Sequence, residues 1–448
     1  MTAIFWMFTF LIMFTALPFG MVHELMQALF ACLVFLLVGA LCIYRMRKKT
    51  APVVALRRVI WETTAFAMVM GWALVQMLPI VSPDLHHPLW DEAGRTLGAN
   101  LAGAISLSPG SGFQSLIRLA TYGGVFWLAL QIGGDRRRAR LFIDFFILAG
   151  TLYAAYGILM EFGGTPKILW VNKQSHIGWV SGTFVNRNTF ATYTGLALLC
   201  AVGAYLFNFI ELARRGRKGR NQLVTFWNAA LVQGAPRLAS ILILLSALLL
   251  SGSRGGIFAS LAALAIFLML YGMVQSVRNR LFGLIAGALL ATLLITTVLI
   301  GDRIFWRLTT DNIDPFRLKV YAQVWQAINS APLTGFGLGS FERIFPLYAD
   351  ISTSQLDRAH SDWLEMIFEL GWPAALLWFG LLAGLALKCL AGFFRRERDH
   401  LYPLAGFCAA MLVGMHALVD FSLQVPAVAA TFAALLGLGV AQGRSSRE

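Results

Sequence analysis

Charge is what this 448-residue sequence has least of: 13% of its residues are Asp, Glu, Lys or Arg, where a soluble globular chain carries about 25%. Cysteine is scarce too. There are five, and each (Cys32, Cys42, Cys200, Cys389, Cys408) sits inside an apolar run. The shortage of charge, with so much apolar sequence, excludes a water-soluble enzyme and a disordered chain; the cysteine placement excludes a disulfide scaffold or a metal knot. Met1–Gly20 lacks the basic n-region and small-residue cleavage site of a cleavable signal peptide, so none is expected. Low-complexity linkers, a soluble domain and an internal repeat are also missing, which points to a single membrane domain over residues 1–448.

What the sequence does have is apolar length. Hydrophobic residues make up 58% and the mean hydropathy is +0.70. Runs near the roughly 20 residues that span a bilayer recur along the chain. They are Ile4–Gly20, Met26–Tyr44, Ile60–Val81, Ser115–Ile132, Leu141–Phe162, Thr189–Ile210, Leu238–Leu250, Ile257–Val274, Leu281–Ile300, Pro373–Phe394, Leu401–Asp420 and Leu423–Ala441. The expectation is an all-α polytopic membrane protein with about 12 transmembrane helices.

The net charge of +14 is unevenly spread between alternate connections. One side, with both termini, carries 24 Lys/Arg against 7 Asp/Glu; the other carries 12 against 15. Basic loops stay in the cytoplasm, so both termini are expected there and the remaining loops face outward. Read this way the positive charge sets topology, and no nucleic-acid partner is expected.

Four outward segments are polar enough to carry chemistry. In Ser82–Gln114, His86-His87 precede Asp91-Glu92. Adjacent carboxylates diverge in helix or strand, and two histidines are too few for a structural zinc, so a solvated loop is expected. In the second segment, Gly182-Thr183-Phe184-Val185-Asn186-Arg187-Asn188-Thr189-Phe190 sets Arg187 between Asn186 and Asn188 where the sixth run begins. A helix N-terminus with a forked guanidinium suits a phosphate. An asparagine cap with Arg187 reaching for lipid headgroups fits the same residues. Third, the turn Ser251-Gly252-Ser253-Arg254-Gly255-Gly256 holds one arginine at the membrane face among glycines that permit close approach. A tight turn with a headgroup-binding arginine is the alternative.

The largest outward segment is residues 301–372. Phe316–Ser330 reads as an amphipathic helix with apolar Leu318, Val320, Tyr321, Val324, Trp325 and Ile328, and it carries Arg317. Gly335-Phe336-Gly337-Leu338-Gly339-Ser340 follows; no βαβ unit surrounds it, so it is not a dinucleotide fingerprint. His360 stands beside Asp362, Trp363 and Glu365 just before the tenth run, where an imidazole could serve as general base or as a surface or capping residue. Finally, His416 and Asp420 lie four apart in the eleventh run and are expected on one helical face, as an inward-facing pair or a hydrogen-bonded helix end.

Together these segments resemble the O-antigen ligase/polymerase superfamily. The matching residues are Gly182–Phe190, Ser253-Arg254-Gly255-Gly256, Arg317 with Trp325 ahead of Pro332–Phe341, and His360-Ser361 with Gly371. The glycine such sequences carry three residues after Gly371 is Ala374 here. The resemblance implies a GT-C-like fold with a large helical periplasmic loop at 301–372, in a bacterial inner membrane. It implies transfer of a glycan from undecaprenyl diphosphate to a sugar hydroxyl, on a glycan or lipid A–core acceptor, with inversion and without a metal or cofactor. His360 would be the catalytic base, and Arg187, Arg254 and Arg317 would bind the diphosphate. Asn186, Asn188, Trp325, Asp362, Trp363, His416 and Asp420 would support the site or touch sugars. Membrane lipids and partners in polysaccharide assembly are the expected neighbours. The rival expectation is a polytopic transporter or flippase of polysaccharide precursors or small anions, and a catalytically silent scaffold is a third.

Overall fold

The computed structural model describes residues 1–82, 85–164, 166–216, 232, 234–274, 287, 315–396 and 400–443. Its helices are α1 (Thr2–Phe14), α2 (Glu24–Lys48), α3 (Ile60–Met77), α4 (Leu89–Leu97), α5 (Pro109–Ile132), α6 (Arg136–Phe162), α7 (Arg187–Gly216), α8 (Ala235–Leu250), α9 (Arg254–Val274), α10 (Pro315–Ser330), α11 (Phe341–Ile344), α12 (Asp362–Arg395), α13 (Leu401–His416) and α14 (Pro426–Gln442). A two-residue antiparallel pair, β1 (Lys167–Ile168) with β2 (Val171–Asn172), is the one sheet among the described residues. The chain is an all-α polytopic membrane protein. Among the described residues, seven helices are long and apolar enough to cross a membrane: α2, α3 with its preceding turn, α5, α6, α7, α9 and α12. Four shorter apolar helices, α1, α8, α13 and α14, join them.

The apolar runs located these helices, with corrections at their ends. The ninth run, Leu281–Ile300, and residues 301–314 lie outside the described residues apart from Gly287. The first run is cut short at Phe14 because Pro18 and a left-handed Gly20 (φ 69°) turn the chain. The eleventh stops at His416, so Asp420 is not on that helix. The tenth belongs to a longer helix that starts eleven residues earlier, at Asp362.

α7 is the central helix. Its most apolar window is 94% buried, against 28–44% for the other six spans, whose apolar outer faces suit contact with lipid. It packs on α6, α8, α9 and α13, while α14 lies against α5 and α13, and α12 against α3 and α13. Small residues let α13 and α14 approach closely: a Cβ on Gly406 would meet the Gly439 Cα.

A second apolar core sits beside this bundle. It joins Val69 and Ala73 of α3, Val320, Val324, Ala327 and Ile328 of α10, Phe336–Phe345 and the first turns of α12. α10 therefore forms where its periodicity puts it, but its buried stripe is rotated from the expected one. Leu318 and Trp325 are 53% and 47% exposed.

The two cores meet at a break in α12. Gly371 (φ 74°, ψ 165°) leaves the helical region, and Pro373 has no N–H to donate. The carbonyls of Phe368, Glu369 and Leu370 thus lose their partners within the helix. The glycine-rich loop replaces them: Phe336 N donates to Phe368 O (3.0 Å) and Gly337 N to Glu369 O (2.9 Å). From α3, Trp72 Nε1 reaches Leu370 O (2.9 Å) and Gln76 Nε2 reaches Glu369 O (2.8 Å) and Thr334 O (2.7 Å). Gln76 Oε1 accepts from Leu338 N (3.3 Å), so this fully buried amide clamps both chains. Gly335 and Gly371 sit backbone to backbone with positive φ, and a Cβ on Gly371 would strike the Leu333 carbonyl. Ala374 is accommodated in the resumed helix without a second break.

Gln76→Leu should cost about 2–4 kcal/mol, because it strands the Thr334 carbonyl and the Leu338 amide and takes one of two donors from the Glu369 carbonyl. Gly371→Ala should cost at least about 2 kcal/mol through backbone strain and collision. Thermal unfolding of the purified protein in detergent checks both; a melting temperature equal to wild type would contradict the clamp.

Candidate active site

Past the end of α13 the chain makes a turn, residues 417–424, on which four helices converge. Asp420 is fully buried. A buried carboxylate needs several donors, and two side chains supply them. Asn188 Nδ2, at the start of α7, donates to Oδ1 (3.1 Å), and Ser422 Oγ donates to Oδ2. The direct His416–Asp420 pair expected from their spacing is replaced by a relay. Thr192 Oγ1 is 2.6 Å from His416 Nδ1 and 2.8 Å from Ser422 Oγ, which in turn reaches Asp420. The physical reason is the helix end at His416, which turns Asp420 away from the face His416 occupies.

The backbone of the same turn binds the other elements. Arg317 Nη1 donates to Val419 O (2.9 Å), Ser361 Oγ to Ala417 O (3.2 Å), and Asp362 N to Asp420 O (3.1 Å). Asp362 Oδ2 accepts from Leu423 N (3.1 Å), so α12 and the turn exchange two bonds. Gly255, beside Arg254 at the start of α9, packs on Val419 and His416 so tightly that a Cβ would collide with Val419. The Phe421 ring lies 5.4 Å from the His360 ring. Asn188, Arg317, His360, Asp362, His416 and Asp420 are therefore one assembly, with Arg254 at its edge.

His360 has a left-handed backbone, φ 53°, which a residue with a Cβ adopts at a cost. Three restraints hold it. Ser361 caps α12 through Leu364 N. Glu365, fully buried, binds Arg358 Nη1 (2.9 Å) and Ala359 N (3.1 Å). Tyr321 OH of α10 donates to the His360 carbonyl (2.9 Å). Burial pulls the Arg358 pKa down, but the Glu365 charge and hydrogen bond outweigh it, and the net shift is upward. Arg358 therefore stays a guanidinium opposite a carboxylate.

Arg187 occupies the first turn of α7, its guanidinium carbon 5.1 Å from the centroid of the Trp179 ring. Asn186 accepts from Asn188 N (2.7 Å), the asparagine turn that starts the helix. Trp325 sits edge-on to Trp372 at 6.0 Å. Trp363 lies tilted against Phe379 at 4.3 Å, and its Nε1 donates to Gly414 O (3.1 Å), so this indole packs between α12 and α13. In the first outward segment, His86 Nε2 meets Asp91 Oδ2 (2.9 Å) across α4. Burial followed by the neighbouring His86 lowers the pKa of His87.

A cavity of about 460 Å³ opens between α2, α3, α5, α12 and α14. Its walls are apolar over most of its depth, including Phe35, Phe66, Trp127, Leu381 and Phe432. Its polar lining includes Glu62, Arg118, Asp362, Glu369 and Gln424, and Leu423 and Gln424 come from the 417–424 turn. Sequence reasoning missed the roles of Tyr321, Arg358, Glu365 and Trp179. The signal available for Arg358 and Glu365 was their seven-residue separation across a helix start. For Tyr321 and Trp179 there was none beyond aromaticity.

The family model for O-antigen ligase matches residues 239–379. That stretch runs from α8 into the resumed part of α12 and holds Arg254, Arg317, the glycine-rich loop, His360 and the Gly371 break. The chain carries an O-antigen ligase domain over those residues, which supports membership of the O-antigen ligase superfamily. At family level that domain is of the membrane glycosyltransferase type shared by O-antigen ligases and polymerases. The O-antigen ligase match covers less than a third of the chain. Arg187, Asn188, His416 and Asp420 lie outside it, yet His416 packs on Gly255 and the Asp420 carbonyl accepts from Asp362 N within it, and Asn188 joins them through Asp420. No curated protein matches the chain.

Arg358→Met should destabilise the protein by about 3–5 kcal/mol, since it leaves Glu365 buried without its cation. The double variant Arg358→Met, Glu365→Leu should cost clearly less. Denaturation midpoints of the three proteins in one detergent test this ordering, and equal losses would contradict it.

Proposed function

We propose that this O-antigen ligase-type protein transfers a glycan from undecaprenyl diphosphate to a sugar hydroxyl at the periplasmic face of the bacterial inner membrane. The observation that carries the reading is the convergence of Asn188, Arg317, Asp362 and the His360 turn on residues 417–424, with Arg254 alongside. An imidazole that can accept a proton and guanidiniums that can accept an anion are thereby brought to one end of a helical bundle. Both termini are cytoplasmic in this reading, as the charge asymmetry indicates.

The chemistry follows from what such a set can do. The acceptor hydroxyl is a weak nucleophile, and His360 takes its proton as the oxygen attacks the anomeric carbon. The new C–O bond forms as the bond from that carbon to the diphosphate oxygen breaks, and the electron pair leaves with the phosphate. Attack from the face opposite the leaving group inverts the configuration. Negative charge grows on the departing diphosphate, and Arg187, Arg254 and Arg317 stabilise it with fixed, forked donors. Three guanidiniums do here the work that a divalent cation does elsewhere, so the reaction needs no metal. Asp420 and His416 hold the supporting turn in place.

The prenyl chain of the donor has a natural place in the apolar cavity whose lining includes Asp362 and Leu423. Its walls match the bilayer interior, so the chain stays in an apolar medium throughout. The bond energy for transfer resides in the lipid diphosphate, and a nucleotide pocket is not required. The acceptor is a glycan chain or lipid A–core, which separates polymerase from ligase activity within the same mechanism.

Purified protein incubated with undecaprenyl-diphosphate-linked repeat units, with and without lipid A–core and with a chelator present, tests the reading. A ladder of longer lipid-linked chains identifies a polymerase; product only with core identifies a ligase. Intact protein that yields no product with either acceptor would overturn the proposal in favour of transport or scaffolding. Arg254→Ala and Arg317→Ala should abolish transfer while the protein remains folded. His360→Ala should lower the rate at least about 10²-fold, the lower bound for loss of a general base, and full activity in any of the three would remove its assigned role.

A further inference from the structure

The segment between β2 and α7 carries one indole that touches two arginine-bearing turns. Trp179 lies under the Arg187 guanidinium, 5.1 Å from ring centroid to Cζ. The six-membered part of the same indole lies against Gly252, so closely that a Cβ on Gly252 would overlap it. Gly252 has φ +61° and sits two residues before Arg254. The arrangement is anchored from behind: Val180 N donates to Leu250 O (3.1 Å), which ties the segment to the end of α8. Lys173 is buried and donates from Nζ both to Glu161 Oε2 (2.6 Å) and to the Trp179 carbonyl (2.6 Å). A buried ammonium has few ways to be satisfied, so the ion pair with α6 fixes where this loop can lie.

We propose that Trp179 is a positioning residue, a rigid plate that sets the Arg187 guanidinium against the Gly252–Arg254 turn at the spacing a diphosphate needs. This rests on the transferase reading above. An arginine side chain has much rotamer freedom to lose, and an indole face with its negative quadrupole restrains the guanidinium without neutralising it. A carboxylate in that place would hold Arg187 equally well but would cancel the charge offered to the phosphates. The contact also accounts for glycine at position 252, which neither the turn's charge nor its depth in the membrane requires.

Trp179→Ala removes the plate but keeps the carbonyl that Lys173 binds, so the loop keeps its anchor. The test compares wild type, Trp179→Ala, Trp179→Phe, Arg187→Ala and the Trp179→Ala, Arg187→Ala double variant of the full chain. Two readouts are taken: kcat and KM for the lipid diphosphate donor, and calorimetric binding of inorganic pyrophosphate. Trp179→Ala is expected to weaken donor KM and pyrophosphate affinity about tenfold, in the range of a partly desolvated cation–π contact. Trp179→Phe should recover most of that loss, and the double variant should be no worse than Arg187→Ala alone. Additive losses in the double variant, or unchanged pyrophosphate binding in Trp179→Ala, would overturn the proposal. So would folded wild-type protein that binds no pyrophosphate. Wild type that binds pyrophosphate with this non-additive pattern but transfers nothing would reject the transferase reading and uphold the plate.

Discussion

The hydrogen-bond debt left by the break in α12 governs the architecture around the site. In a medium without water every stranded carbonyl is costly, and Gly371 with Pro373 strands three of them at once. Among the described residues, the N–H groups that reach them come from a neighbouring loop and the end of α3. Once Phe336, Gly337, Trp72 and Gln76 have bonded there, the glycine-rich loop cannot move independently of α12. That loop in turn carries the second apolar core, and with it α10, Arg317 and Tyr321. The first nine residues of α12 become a short rigid rod with its own direction, and its N-terminal end presents His360 and Asp362 to the turn after α13.

A second buried debt is settled at the other end of that rod. Asp420 is fully buried, so its oxygens recruit Asn188 and Ser422, and its own carbonyl takes the Asp362 amide. Each of these partners belongs to a different element. The same requirement that satisfies one carboxylate therefore registers α7, α12 and the 417–424 turn against one another, and brings the residues matched by the family model into contact with residues beyond it. Precision at the site comes from obligatory pairing of buried polar groups; the apolar packing around it is tolerant of small shifts by comparison.

These two debts also mark what the sequence could reveal. Apolar runs located eleven of twelve expected helices within the described residues because a bilayer-length stretch has few other structures open to it. Arg187, Arg254, Arg317 and His360 stood out because charge in so apolar a chain is conspicuous. What stayed hidden was pairing. Gln76 looks like one polar residue near the end of an apolar run, and its partners are about 260 and 293 positions away. The His416–Asp420 spacing suggested a helical pair, yet the helix ends between them, a boundary set by contacts of the turn rather than by any capping residue. Trp325 and Trp363 looked alike as sugar platforms, but Trp363 has its indole N–H committed to Gly414 and its face to Phe379.

The backbone of His360 ties these strands together. A left-handed β-carbon-bearing residue persists only where its surroundings over-determine it, at a cost of about 1–3 kcal/mol. Here the surroundings do so three times, through the Ser361 cap, the Arg358–Glu365–Ala359 cluster and the Tyr321 hydroxyl. None of these groups touches the imidazole ring in the bonds they make to its backbone and neighbours. They fix the main chain, and the Phe421 ring lies beside the imidazole, 5.4 Å between centroids. In the proposed transfer, such a fixed main chain would give a general base a fixed origin for its reach.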